Sequence, residues 1–141
     1  AELSAVARGH VWADSPEHQT PESTHMHAMR RPGQSKADAC TETNKYIKNE
    51  AQKALDAKKS GDMDSAFFHF GAALHAIQDA TSPSHSGFQE WSGNETKSEL
   101  ASHASKELVV PSEDSPLFKN TKQAWEAFKA GNINGFSCPC K

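Results

Sequence analysis

His75 and Asp79 stand four residues apart in a helical pattern, which puts an imidazole and a carboxylate on one face, one turn apart. A pair so placed can share a metal ion. His103 and Glu107 repeat the spacing in a second helical pattern, Glu95 to Val109, and offer another nitrogen and another carboxylate. Between the two patterns, Thr81, Ser82 and Pro83 should end the first helix, because the residue before a proline leaves the α region and proline has no N–H to donate. His85 then falls on the loop just beyond. Nitrogen and carboxylate donors without thiolates suit zinc, and ions held by fewer than four protein ligands leave room for water. That pattern belongs to catalytic rather than structural metal sites. Eight histidines against one tyrosine point the same way.

These side chains need helices to carry them. Leu3 to Ala13 is a short helical candidate with Leu3, Val6, Ala7 and Val11 spaced for one buried face and His10 and Trp12 near its end. Asp14 to Pro32 is rich in Pro, Ser and Thr, and this long loop holds Glu17, His18, Glu22, His25 and His27, so function should concentrate there. Ser35 to Ser60 has Ala39, Ile47, Ala51, Ala54 and Leu55 near helical period, with lysines opposite, and Ser60-Gly61 ends it. Asp62 or Asp64 caps the next helix, whose Ala66, Phe67, Phe70, Leu74 and Ile77 form a core stripe. Gly71 and Ala72 in its middle predict close approach by another helix. Ser86 to Asn94 reads as a glycine-bounded loop, Pro111 to Pro116 as a linker, and Asn120 to Ala130 as a last amphipathic helix on Ala124, Trp125 and Phe128, stopped by Gly131. No alternating strand pattern appears. The expected fold is all-α, one domain over 1–141, a bundle of about five helices.

At 141 residues the chain suffices for one genuine core. With 35% hydrophobic residues and a mean hydropathy of −0.75, no run approaches the roughly 18 apolar residues of a membrane span. A net charge of −3 gives no basic footprint for binding nucleic acid. Cys40, Cys138 and Cys140 are an odd set from which no disulfide framework can be read, and the Cys138-Pro139-Cys140 tail is taken as incidental. Because the chain starts at Ala1 without an initiator methionine, it is read as a fragment or processed module.

The run Lys45-Tyr46-Ile47-Lys48, Gly61-Asp62-Met63, Ala66-Phe67-Phe68, Gly71, Leu74-His75, Asp79, Pro83 and His85 resembles the zinc-dependent phospholipases C, which share an all-helical fold with single-strand-specific zinc nucleases. The wording Met26-His27-Ala28-Met29-Arg30 and Gln78 to Gln89 is closer still to toxin modules at the C-termini of Rhs-type polymorphic proteins. The resemblance spans roughly residues 10 to 110. It implies one zinc on His75, Asp79 and a loop histidine, His27 with His25 second, and another on His85, His103 and Glu107. It also implies Asp14 as general base or water orienter. Family phospholipases bind a third zinc through an N-terminal tryptophan that this chain lacks, so that ion is absent or is held by His10, His18 or residues upstream. The implied activity is phosphodiester hydrolysis of membrane phospholipid by a secreted or delivered toxin, with an immunity protein as a possible partner. A single-strand nuclease is the alternative, and a non-catalytic metal-stabilised binding module is the reading from another class.

Several residues have plainer readings. His10 is taken as a partly buried helix-end histidine, His69 as structural because it lies about 120° around the helix from His75, and His18 stays open. Met26 and Met29 read as packing residues. Phe88 and Trp91 either wall a pocket or plug the bundle end, with core preferred. Arg30 and Arg31 could clamp a phosphate, although paired loop arginines are more often solvated.

Overall fold

Helix boundaries follow from capping chemistry. The computed structural model describes residues 2–82, 85, 87–93, 95 and 112–140. Within them lie four α-helices: α1 Glu2–Ala13, α2 Lys36–Ser60, α3 Met63–Thr81 and α4 Pro116–Ala130. Short 3-10 turns cover Pro16–His18, Pro21–His27 and Ile133–Gly135. Ser35 opens α2 by accepting the Asp38 N–H, and Gly61 closes it with a φ of 84°. Asp62, rather than Asp64, caps α3 by accepting from the Ser65 N–H. α4 starts four residues before the expected Asn120, because Ser115 accepts the Phe118 N–H and Pro116 at the first position loses no helical bond. Beyond its first residue, the expected helix from Glu95 to Val109 lies outside the described residues.

The fold is an all-α bundle. Among the described residues there is no strand, only an isolated parallel bridge between Arg30 and Glu90. No described helix is long and apolar enough to cross a membrane. α3 lies at the centre, packed on α1, α2 and α4. The stripes expected from the sequence meet there: Ile47, Ala51 and Leu55 of α2 against Phe67, Phe70 and Ile77 of α3, with Ala124 and Phe128 of α4 completing the core. Trp125 departs from expectation. It is 40% exposed and lies against Phe70 and Phe128 with the Lys129 ammonium 5.6 Å above its ring.

The α1–α3 crossing is a backbone contact. A Cβ on Gly71 would lie 2.2 Å from the Val6 carbonyl oxygen, and one on Gly9 would lie 2.1 Å from that of Phe68. Neither obstacle is a flexible side chain. Gly71→Ala therefore forces the helices apart and is expected to cost on the order of 3 kcal/mol, read as a lowered denaturant midpoint at constant m-value.

The cysteine tail is not incidental. Cys140 forms a disulfide with Cys40 of α2 across a sequence separation of 100 residues. Asn44, one turn from Cys40, accepts the Cys138 N–H at 2.8 Å and donates to the Cys138 carbonyl at 3.3 Å. Phe136 is fully buried, which docks the tail onto the core. The thiol of Cys138 is buried, and burial pushes its pKa up to about 11.

Candidate metal centre

The centre forms where the last turn of α1, the Pro21–His27 turn and the second half of α3 meet. Asp14 follows α1 directly, His27 ends its turn, and His75 and Asp79 share the face of α3 expected from their spacing. Asp14, His27 and His75 form a group able to hold a metal ion. His75 Nε2 lies 3.2 Å from Asp14 Oδ1, 3.0 Å from Asp79 Oδ2 and 3.2 Å from His27 Nδ1. His27 Nδ1 in turn lies 3.3 Å from Asp79 Oδ2 and 3.7 Å from Asp14 Oδ1. Four donor atoms from three segments thus face one another.

Backbone carbonyls fix the ring nitrogens. His27 Nε2–H donates to the His18 carbonyl at 3.0 Å, so Nδ1 is the nitrogen turned toward His75 and the carboxylates and available to a metal ion. His85 Nδ1–H donates to the His27 carbonyl at 2.8 Å, so any metal bond of His85 runs through Nε2. This loop arrangement is held by the Phe88 to Trp91 segment. Arg30 N–H donates to the Gln89 carbonyl, Trp91 N–H to the Arg30 carbonyl and Trp91 Nε1–H to the Gln19 carbonyl, at 2.9–3.0 Å. Phe88 is core, as expected, whereas Trp91 joins His27, His85, Thr24 and Met29 around a small pocket.

Two carboxylates and the imidazoles set one another's charge. Burial works against a charged His75, but hydrogen bonds to Asp14 and Asp79 and their charges outweigh it and raise its pKa to about 10. Burial would raise Asp79, yet the charge of His85 and hydrogen bonds to His27 and His75 hold it far below the usual carboxylate range. Asp14 is lowered in the same way, against its burial, by the hydrogen bond to His75 and the charges of His75 and His27. His75 Nε2 has Asp14 Oδ1, Asp79 Oδ2 and His27 Nδ1 all within 3.2 Å. One N–H on His75 Nε2 cannot serve three partners well, whereas a divalent cation can accept a lone pair from each of the four side chains once the rings are deprotonated.

The structure sorts the candidates. It brings together Asp14, His27, His75 and Asp79, with His85 Nδ1 3.9 Å from Asp79 Oδ2. Asp14, expected as a base, stands among the donors themselves. His103 and Glu107 lie outside the described residues. His25, the alternative loop histidine, turns its ring to Tyr46 with centroids 5.3 Å apart. His69 pairs with the buried carboxylate of Glu50 at 2.6 Å, a structural role as expected. Met26 and Met29 are buried packing residues. Neither arginine is an open phosphate clamp: Arg30 pairs with Glu90 at 3.2 Å and Arg31 grips both oxygens of Glu42.

His10 is the partly buried helix-end histidine expected, but its partner was not foreseen. Its Nδ1 lies 3.2 Å from His75 Nδ1, a contact made by the α1–α3 crossing and invisible in local spacing. His18, left open, hydrogen-bonds Ser15 Oγ and the Trp12 carbonyl at 2.8 Å through Nδ1 and lends its own carbonyl to His27. No protein-family model, curated protein or solved structure matches the chain.

Proposed function

We propose that the protein is a zinc-dependent phosphodiester hydrolase of the phospholipase C type, acting as a secreted or delivered toxin module. The carrying observation is the spacing of the donors. Four ligands in a tetrahedron around zinc, with bonds of about 2.0–2.1 Å, stand about 3.3 Å apart. The five separations among Asp14, His27, His75 and Asp79 given above run from 3.0 to 3.7 Å. Imidazole and carboxylate donors without a thiolate also suit that ion. A second zinc on His85, His103 and Glu107 belongs to the same proposal.

Zinc at this position supplies Lewis acidity, lowering the pKa of a water and neutralising charge on phosphoryl oxygens. The chain's residues do the rest. Asp14 has a side chain 58% exposed, against 14% for Asp79 and 8% for His27, so substrate and water approach from its side. There Asp14 would give up its place on the ion to the attacking water, leaving His27, His75 and Asp79 as three protein ligands, and from beside that water its carboxylate would orient it and take its proton. His75, Asp79 and His27 are anchored behind it and do not need to move.

Lipid is favoured over nucleic acid by the charges. All three arginines are committed to carboxylates, Arg8 to Asp64, Arg30 to Glu90 and Arg31 to Glu42, so they do not form a phosphate track. The Cys40–Cys140 disulfide supports maturation in an oxidising compartment, as secretion requires.

The test is metal per chain by elemental analysis, with the zinc-loaded protein assayed on phospholipid vesicles and on single-stranded DNA. Release of phosphorylated headgroup supports the proposal. Nucleotide release moves the protein to the nuclease reading, and retained zinc with no hydrolysis moves it to a binding module. Asp79→Asn should weaken zinc retention by about a hundredfold and abolish turnover, since even partners one shell further out are worth 10–100-fold. Full zinc content and full activity in that variant would remove the assignment.

A further inference from the structure

We infer that His10 is a positioning residue that decides which nitrogen of His75 faces the metal. The inference rests on the metal-site reading above and extends it to a residue that touches no substrate. The two Nδ1 atoms lie 3.2 Å apart, and the rings meet edge to face with centroids 5.4 Å apart. A hydrogen bond between two imidazole nitrogens needs one proton, because two lone pairs or two N–H groups repel. When His75 turns the Nε2 lone pair to an ion, its proton must sit on Nδ1 and be donated to His10 Nδ1. His10 then carries its own proton on Nε2. The partner thereby locks both the tautomer and the rotation of the ligand ring, the role that carboxylates or carbonyls usually take behind a metal-bound histidine.

An imidazole has a particular merit here. Asp14 and Asp79 already bring two negative charges, which balance a divalent ion. A neutral acceptor behind His75 leaves that balance intact, whereas a third carboxylate would add a charge. The lock is built by the fold: Gly9 stands beside His10 and lies against the backbone of Phe68 and Ala72, so the glycine contact fixes how far His10 reaches toward α3.

The test compares the wild type with His10→Phe and His10→Asn in zinc affinity, by competition with a metallochromic dye, and in the visible absorption of the cobalt(II)-loaded forms. Phenylalanine keeps the ring volume without an acceptor. Asparagine presents Oδ1 where histidine has Nδ1. His10→Phe is expected to bind zinc about 10–100-fold more weakly, with a changed cobalt spectrum. His10→Asn should stay within a few-fold of wild type and keep the spectrum. Thermal melts of the metal-free proteins separate loss of packing from loss of the lock. Wild-type affinity in His10→Phe overturns the inference alone. Equal loss in both variants also overturns it, since it assigns His10 to packing or to direct ligation. A wild type that binds no divalent ion removes the site reading and this inference together.

Discussion

If the site takes zinc as proposed, its zinc affinity is expected to rise about tenfold for each pH unit between roughly pH 6.5 and pH 9.5, about a thousandfold in all. In the metal-free chain Asp14 and Asp79 raise the His75 pKa to about 10. The ring is therefore protonated across this range, and the ion must displace one proton from Nε2. Higher pH makes that displacement easier, so affinity climbs until the pKa is passed. Stability of the metal-free protein moves in the opposite direction. A folded-state pKa above the ordinary histidine value contributes stability that is complete below about pH 6.5 and is lost as pH rises through about 10. Titration calorimetry in buffers of different ionisation enthalpy counts the proton released, and dye competition over the pH series gives the slope. A flat affinity profile with no proton release would mean that His75 is not a ligand.

Cys40→Ser, or reduction of the wild type, lowers stability by about 4.7 kcal/mol, the loop-closure entropy for a loop of about 100 residues. The melting temperature should fall by roughly 10–20 °C. Cys40 is the position to change, because Cys140→Ser leaves Cys138 two residues away as a substitute partner. Non-reducing melts of Cys40→Ser beside melts of the reduced wild type check the value. Agreement between the two excludes a large local cost of placing a serine hydroxyl at the buried Cys40 position. Unchanged melting in both would show that Phe136 and Asn44 hold the tail without the covalent bond.

Local periodicity made the faces of α2 and α3 legible but not that of α1. There Ala7 and Val11 of the expected buried face are exposed and Ala5, Gly9 and Ala13 are buried instead, because α1 meets α3 through small residues in backbone contact. The stripes on α2 and α3 repeat near 3.6 residues, and their predicted members Ile47, Ala51, Phe70 and Ile77 are buried. His75 and Asp79 needed only one helical turn to be paired. The close approach at Gly71 was readable because a mid-helix glycine lowers helix propensity and makes room for a neighbour. What failed was long-range. No local signal separates a disulfide spanning 100 residues from three stray cysteines. His10 has the spacing of an ordinary helix-end residue, and only the α1–α3 crossing gives it His75 as a partner. Pro116 looked like linker because proline stops helices more often than it starts them, and the Ser115 cap reverses that reading.

The uneven depth of the four donors has a kinetic consequence. With Asp14 exposed and the other three recessed, a cation should enter and leave through the gap that opens when that one carboxylate rotates outward. Stripping agents would then work by capturing the ion at the surface. Its residence time would follow a side-chain swing, with no opening of the bundle.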